Sequence, residues 1–176
     1  MNNLTINDNE LYIDEINKLK IGGIKTRLIN EIKEFKKNNS HVSVNYINDN
    51  IPYLEIIIVF ENNDIFNFHI TSNYPFSKPK NIFINNKSYY NFLKINSKKT
   101  LTELKSYIKL DCLCCYSITC SSNWSPAICL MSIINEFYYY KNIRKYIINK
   151  LLINKIINKF LKIDDINFYQ YFYDYL

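Results

Sequence analysis

Residues 53–80 read YLEIIIVFENNDIFNFHITSNYPFSKPK and carry the pattern that decides the fold. YLEIIIVF is a nearly continuous apolar run rich in β-branched residues, and DIFNFHI alternates apolar with polar residues, so each predicts a β-strand. The segments HVSVNYI, before this stretch, and NIFIN, at its end, predict two further strands. The connections INDNIP, ENND and TSNYPFSKPK are all short, which predicts an antiparallel meander of four strands.

Helical patterns flank the predicted strands. Ahead of them, IKTRLINEIKEFKKNN has apolar residues at helical spacing with Lys and Glu between them, which predicts an amphipathic helix. After them, residues 85–111 form an excursion with a helical pattern in TLTELKSYIKL, for which Thr100 or Thr102 is the predicted cap. The cysteine-rich segment that follows has no periodicity and is predicted to be irregular.

The C-terminal part of the chain is helical in character. Ser125 fits an N-cap and Pro126 the first helical position, so a helix is predicted to begin there. The apolar pattern is too long for one ordinary helix, so we expect a break near residues 139–142. A last short helix is predicted after Asp164 and Asp165.

The order of helix, four strands, irregular cysteine segment and helices predicts an α+β fold. The 176 residues favour a single domain, and a hydrophobic content of 48% supplies its core. We divide the chain into an N-terminal extension, residues 1–21, and one domain, residues 22–176. Its core covers about residues 22–137, and its C-terminal helices cover residues 138–176.

Charge and targeting signals restrict the partners. The net charge is +6, but the two arginines, Arg27 and Arg144, lie far apart and no Arg-rich run exists, so nucleic acid is not favoured. The polar N-terminus lacks a secretory signal, and no apolar run approaches the ~20 residues of a membrane span. We therefore expect an intracellular, reducing compartment, cytoplasmic or nuclear, and no membrane partner. Clustered cysteines there are more often metal ligands or reactive thiols than disulfides.

Two motifs, in this order along the chain, resemble the ubiquitin-conjugating enzyme family. YPFSKP at residues 74–79 resembles the family's strand-to-strand turn of the form YPFxxPP, with Lys78 where the first of the paired prolines would stand. WSPA at residues 124–127 resembles the start of the family's second helix, and a cysteine shortly precedes the tryptophan in both. Together with the basic helix ahead of the meander, the resemblance covers roughly residues 22–137 and implies that family's α+β fold.

The resemblance also implies an activity. In the family, a cysteine accepts ubiquitin or a ubiquitin-like protein as a thioester from an activating enzyme in an ATP-dependent cascade. The cysteine then passes it to a lysine, usually with a ubiquitin ligase bound, and no cofactor is implied. Such chemistry needs an exposed thiol that ionises readily and a donor for the oxyanion that forms at the carbonyl.

Three cysteines are candidates for the nucleophile. By its spacing from Trp124 and by the run CYSI, which is similar to the family's cysteine-leucine-aspartate-isoleucine, Cys115 ranks first. Cys112, which is followed by the expected leucine, ranks second, and Cys114 ranks third. For any one of them, the structural alternative is a small buried hydrophobic side chain.

The sequence departs from the family at the oxyanion donor. The family's His-Pro-Asn motif is absent, and its nearest counterpart is YYN at residues 89–91, so Asn91 is the candidate donor, provided that the intervening segment loops out. The ENND connection is also shorter than the family's loop. A domain of this fold that binds ubiquitin or another protein without catalysis, or a related RWD-type interaction domain, therefore stays open.

Two docking surfaces carry over from the resemblance. The ligase-binding positions match Phe76, Pro126 and Ala127, and an aromatic beside prolines suits a binding hot spot. The activating enzyme meets basic residues of the first helix in the family, although such a face can equally be ordinary solvated surface. The corresponding residues are Lys25, Arg27, Lys33, Lys36 and Lys37.

A metal site and a redox site are further alternatives. Cys112 and Cys115 form a C-x-x-C pair, to which Cys120 and Cys114 could add ligands for tetrahedral zinc. Strong zinc patterns use two separated pairs, whereas here all four thiols lie in one short segment. A redox C-x-x-C normally opens a helix in a βαβ unit, and none is predicted.

Overall fold

The computed structural model describes residues 8–19, 25–38, 40–95, 97–109 and 112–160. Within them, the strands form one antiparallel sheet whose spatial order follows the chain, as a meander should. The strands are β1 His41–Ile47, β2 Tyr53–Val59, β3 Ile65–Ile70, β4 Asn81–Ile84 and β5 Lys87–Ser88.

Helices precede and follow the sheet. They are α1 Asp8–Lys18, α2 Lys25–Lys37, α3 Tyr89–Leu93, α4 Lys98–Ile108, α5 Leu113–Tyr116 and α6 Leu130–Phe160. The predicted α+β class and the order of its parts are confirmed. The short helix predicted after Asp164 and Asp165 lies outside the described residues.

Only one face of the sheet belongs to the core. Side chains of β2 and β3 alternate between buried and half-buried, because successive residues of a strand point to opposite faces. Ile56 and Phe68 are paired in register on the inner face, whereas Glu55 and Asn67 face outward, with Asn67 Nδ2 donating to Glu55 Oε1 at 2.8 Å. The apolar run of β2 thus has only every second residue fully buried.

The sheet has one strand more than predicted. Lys87–Ser88 pairs with the end of β4 after a tight turn in which Asn85 and Asn86 both have positive φ. A two-residue strand carries no alternation, so the sequence pattern could not indicate it.

Helix α6 is continuous, so the predicted break near residues 139–142 is wrong. One face is buried throughout the region: Tyr140, Ile143 and Ile147 are all at most 6% exposed. The helix contains neither proline nor glycine. The prediction rested on the length of the pattern, and length alone does not end a helix whose buried face continues through Ile143 and Ile147.

The start of α6 also differs from the prediction. The helix begins at Leu130, and Pro126 and Ala127 lie in a turn ahead of it. Glu31 of α2 accepts a hydrogen bond from the Leu130 N–H at 3.0 Å, so a carboxylate from a distant helix caps α6. Likewise, α4 is capped by Ser97, which accepts from the Thr100 N–H, and neither predicted threonine is the cap.

Helices α2 and α6 cover the inner face of the sheet. Leu28, Ile32 and Phe35 of α2 are at most 1% exposed and belong to the same buried cluster as the inner face of the sheet. The ring of Phe66 in β3 packs edge to face against that of Phe137 in α6, with the ring centroids 5.5 Å apart. Within the described part of the chain, no helix combines the length and apolar character that crossing a bilayer requires.

Candidate functional site

The cysteine segment folds as one helical turn followed by tight turns, so the prediction of an irregular segment missed α5. Leu113 is fully buried and anchors the turn in the core. The Ser117 N–H closes it by donating to the Leu113 carbonyl at 2.9 Å. Because Leu113 points inward, the turn leaves Cys115 and Tyr116 exposed.

Glu136 of α6 holds the residues that follow Cys115. Its carboxylate accepts hydrogen bonds from the Ser117 hydroxyl at 2.7 Å, from the Ile118 N–H at 2.8 Å and from the Tyr89 hydroxyl at 2.7 Å. Burial, assisted by this carboxylate, raises the pKa of Tyr89. One side chain therefore ties the cysteine segment to both α3 and α6. The sequence carries one signal for it: Glu136 is the single carboxylate in the helix Leu130–Phe160.

Asn123 fixes the backbone of Cys115 itself. Its Nδ2 donates to the carbonyl of Cys115 at 2.8 Å and to that of Ser117 at 3.1 Å. In a chain so rich in asparagine, no sequence signal distinguished this one. The backbone on the C-terminal side of the thiol is thus held from two directions, by Asn123 and by Glu136.

The cysteines are in different states. Cys112 and Cys114 are joined by a disulfide, contrary to the expectation of thiols or metal ligands, whereas Cys115 is a free, exposed thiol. The Sγ atoms of Cys114 and Cys115 are 3.9 Å apart. Cys120 and Cys129 are free and half-buried. In this state, Cys115 is the member of the three predicted candidates that has a thiol available for nucleophilic attack.

Cys115 opens onto a cavity of about 450 Å³ between the cysteine segment, β4 and α3. Cys114, Cys115 and Cys120 line one side, and Tyr90 of α3 lines another. Asn91, the predicted oxyanion donor, is exposed on α3 and does not belong to the described lining of this cavity. The structure therefore brings the neighbour of Asn91, rather than Asn91, to the cavity.

Lys78 connects the proline turn to the cysteine segment. Its Nζ donates to the carbonyl of Thr119 at 2.6 Å. The pKa of the neighbouring Cys120 thiol is lowered, mainly by hydrogen bonding with Ser122 and to a smaller extent by the Lys78 charge. Lys78 thus supplies a contact and a charge beside the cavity.

The predicted ligase-binding residues are all exposed. Phe76 has 72% of its surface exposed although Pro75 beside it is buried, and Pro126 and Ala127 are also exposed. The two loops that carry these residues are joined, because the Trp124 Nε1–H donates to the Pro75 carbonyl at 2.8 Å. The peptide bond before Pro75 is cis.

The basic residues of α2 divide into two groups. Lys33 and Lys37 are exposed, Lys25 is half-buried, and the Lys36 ammonium lies 4.6 Å from the centre of the Tyr12 ring. Arg27 instead makes internal contacts with Glu31 and the Ile128 carbonyl.

Arg27 and Glu31 form a polar group at the base of the second motif. The guanidinium donates to Glu31 Oε1 at 2.8 Å, to the Ile128 carbonyl at 2.7 Å and to the Pro126 carbonyl. The Tyr74 hydroxyl lies 2.9 Å from both oxygens of Glu31. Burial, assisted by this carboxylate, raises the pKa of Tyr74. One ion pair thus joins α2 to both sequence motifs.

No protein-family model, no curated protein and no solved structure matches this chain.

Proposed function

We propose that this protein is a ubiquitin-conjugating-enzyme-like carrier that accepts ubiquitin or a ubiquitin-like protein on Cys115 and transfers it to a lysine. The observation that carries the proposal is the free, exposed Cys115 thiol at the edge of a cavity, on a backbone that Asn123 and Glu136 hold. Its partners would be an activating enzyme, the carried protein and a ubiquitin ligase. The proposal implies the cytoplasm or nucleus, where these partners and ATP are found.

The proposed reaction has two steps at one sulfur. The Cys115 thiolate attacks the thioester carbonyl of the activating enzyme's adduct, forms a new carbon–sulfur bond and releases the activating enzyme's thiolate. A lysine amine then attacks the carbonyl of the Cys115 thioester. The amide bond forms, the amine loses a proton to solvent, and the Cys115 thiolate leaves.

The neighbourhood of Cys115 supports this chemistry. The thiol is exposed, as attack on a protein-sized substrate requires, while the cavity offers room for an extended peptide tail. Phe76, Pro126 and Ala127 form an apolar surface on two joined loops, which suits a partner that must dock while the thioester reacts. Lys33 and Lys37 are exposed for an activating enzyme.

The experiment is a loading assay. The protein is first reduced, and the reductant is removed before ubiquitin is added. Incubation with activating enzyme, ATP and ubiquitin is expected to give a band one ubiquitin heavier that collapses when a thiol reductant is added. Cys115→Ser is expected to replace it with a reductant-resistant ester or to abolish it. Cys129→Ser, which changes a free thiol outside the cavity lining, is the matched control and should load normally. Absence of an adduct with a panel of ubiquitin-like proteins would refute the proposal.

A second candidate function is a binding module without catalysis. Two observations favour it: the disulfide occupies two of the three candidate thiols, and Asn91 lies outside the cavity lining. The apolar surface of Phe76, Pro126 and Ala127 needs neither feature. Binding of ubiquitin or a ligase domain that Phe76→Ala abolishes, in a protein that forms no adduct, would favour this function over the first.

A further inference from the structure

Three sulfurs lie close together at the start of the cysteine segment, whereas a nucleophile needs only one. The Sγ atoms of Cys112, Cys114 and Cys115 are all within 4.8 Å of one another, and those of Cys114 and Cys115 are 3.9 Å apart. With zinc–sulfur bonds of about 2.3 Å, two ligands of a tetrahedral zinc ion stand roughly 3.8 Å apart. The free thiol and its neighbour are therefore already spaced as two zinc ligands, and the third sulfur is adjacent.

We propose that Cys112, Cys114 and Cys115, once reduced, bind one zinc ion as a three-thiolate site. A reductant opens the Cys112–Cys114 bond and leaves two thiols, while a thiol reductant becomes its own disulfide or a phosphine, with water, becomes its oxide. Zinc then displaces the protons of the three thiols, and solvent completes the fourth position. Soft thiolate ligands favour zinc or Cu(I) over hard cations such as magnesium.

The backbone around this triad is held in place without the metal. Leu113, between the first two ligands, is fully buried, and Asn123 holds the carbonyl of Cys115 at 2.8 Å. Such anchoring limits the entropy lost when the ligands converge on an ion. Binding therefore needs the sulfurs to move rather than the chain to refold.

Cys120 is outside the proposed ligand set. It lines the same cavity, but its Sγ is not part of the group within 4.8 Å and contacts the Ser122 hydroxyl at 3.3 Å. The site thus differs from a four-cysteine knuckle. Because zinc would engage Cys115, metal binding and acyl transfer at that sulfur would exclude each other.

The test uses the full chain, reduced with a phosphine under nitrogen, and Co²⁺ as the spectroscopic probe. One equivalent of Co²⁺ is expected to give thiolate-to-metal charge-transfer absorption, and one equivalent of Zn²⁺ should displace it. Cys112→Ser, Cys114→Ser and Cys115→Ser should each weaken binding by about tenfold or more, since each removes a ligand. Cys120→Ser and Cys129→Ser are the matched controls and should bind as the unchanged chain does. Circular dichroism checks that each variant is folded.

A second measurement is independent of acyl transfer. Stoichiometric zinc is expected to protect Cys115 from alkylation by iodoacetamide, and a chelator should restore its reactivity. The oxidised protein, with the disulfide intact, should bind at least about tenfold more weakly because two of the three ligands are missing. Unsaturable binding, equal binding by the oxidised form, or loss of binding in Cys120→Ser would each overturn the proposed site. A protein that binds zinc but never loads ubiquitin would leave the site standing and refute only the carrier function.

Discussion

The indole Nε1–H of Trp124 donates to the backbone carbonyl of Pro75 at 2.8 Å. This bond joins the proline turn after β3, which carries Phe76, to the loop ahead of α6, which carries Pro126. The sequence motifs that carry the family resemblance are therefore in direct contact, which neither motif alone would require.

Trp124→Phe is expected to lower the free energy of unfolding by about 1 kcal/mol, because it removes the hydrogen bond to Pro75 while keeping an aromatic ring beside Tyr74. Urea denaturation measures the change.

Phe76→Ala is expected to change the free energy of unfolding by less than about 0.5 kcal/mol, because the Phe76 side chain is 72% exposed. Ligase-stimulated discharge of the thioester should nevertheless fall in Phe76→Ala. A large stability loss there would contradict the assignment of Phe76 as a docking residue.

Glu31→Ala is expected to destabilise the fold by about 3 kcal/mol, because it leaves the Arg27 charge without its carboxylate partner and removes the cap of α6. Glu34→Ala provides the control. Glu34 is exposed on the same helix, so this substitution should lower the free energy of unfolding by less than about 0.5 kcal/mol. Chemical denaturation of both variants side by side tests this. Equal losses would show that helix propensity, rather than the buried network, determines the effect.

Under single-turnover conditions, Tyr90→Phe is expected to slow discharge of the Cys115 thioester to lysine by roughly 100-fold. Tyr90 lines the cavity together with Cys115, so its hydroxyl is the group we expect to donate to the oxyanion. Asn91→Ala should change the rate by less than about twofold, since Asn91 lies outside the cavity lining. The opposite order of effects would restore the role that the sequence predicts for Asn91. Loading of the two variants by the activating enzyme serves as the internal reference.

Ser122→Ala is expected to slow alkylation of Cys120 near neutral pH. The Ser122 contact lowers the pKa of the Cys120 thiol, so its loss shifts the reactivity profile toward higher pH and reduces the thiolate fraction at pH 7. Mass spectrometry of iodoacetamide-treated protein across pH 6–10 measures the midpoint. Lys78→Met should shift it less, because the lysine charge is a smaller cause than Ser122. Unchanged midpoints in both variants would count against this electrostatic account.

The sheet and α2 could be predicted from the sequence because their signals are local. β3 alternates with period two and α2 repeats with helical spacing, and both buried patterns appear in the structure. The start of α6 could not be predicted, because its cap comes from Glu31, 99 residues earlier in the chain. Helix ends that depend on distant side chains leave no mark in the local pattern.

The site was predictable only in part, for the same reason. Spacing from Trp124 led to the cysteine segment, but the pairing of Cys112 with Cys114 depends on the conformation of one tight turn. The role of Glu136 depends on α6 passing beside that turn, which no spacing rule describes. Sequence reasoning therefore located the cysteines and missed the residues that hold them.

The Glu31 network also has a consequence for biosynthesis. A ribosome adds about 5–20 residues per second, so Leu130 is synthesised roughly 5–20 s after Glu31. Throughout that interval the carboxylate has Arg27 as a neighbour on its own helix, but it lacks the backbone N–H that it will finally accept from. The nascent chain therefore cannot complete this part of its core until Leu130 has been added.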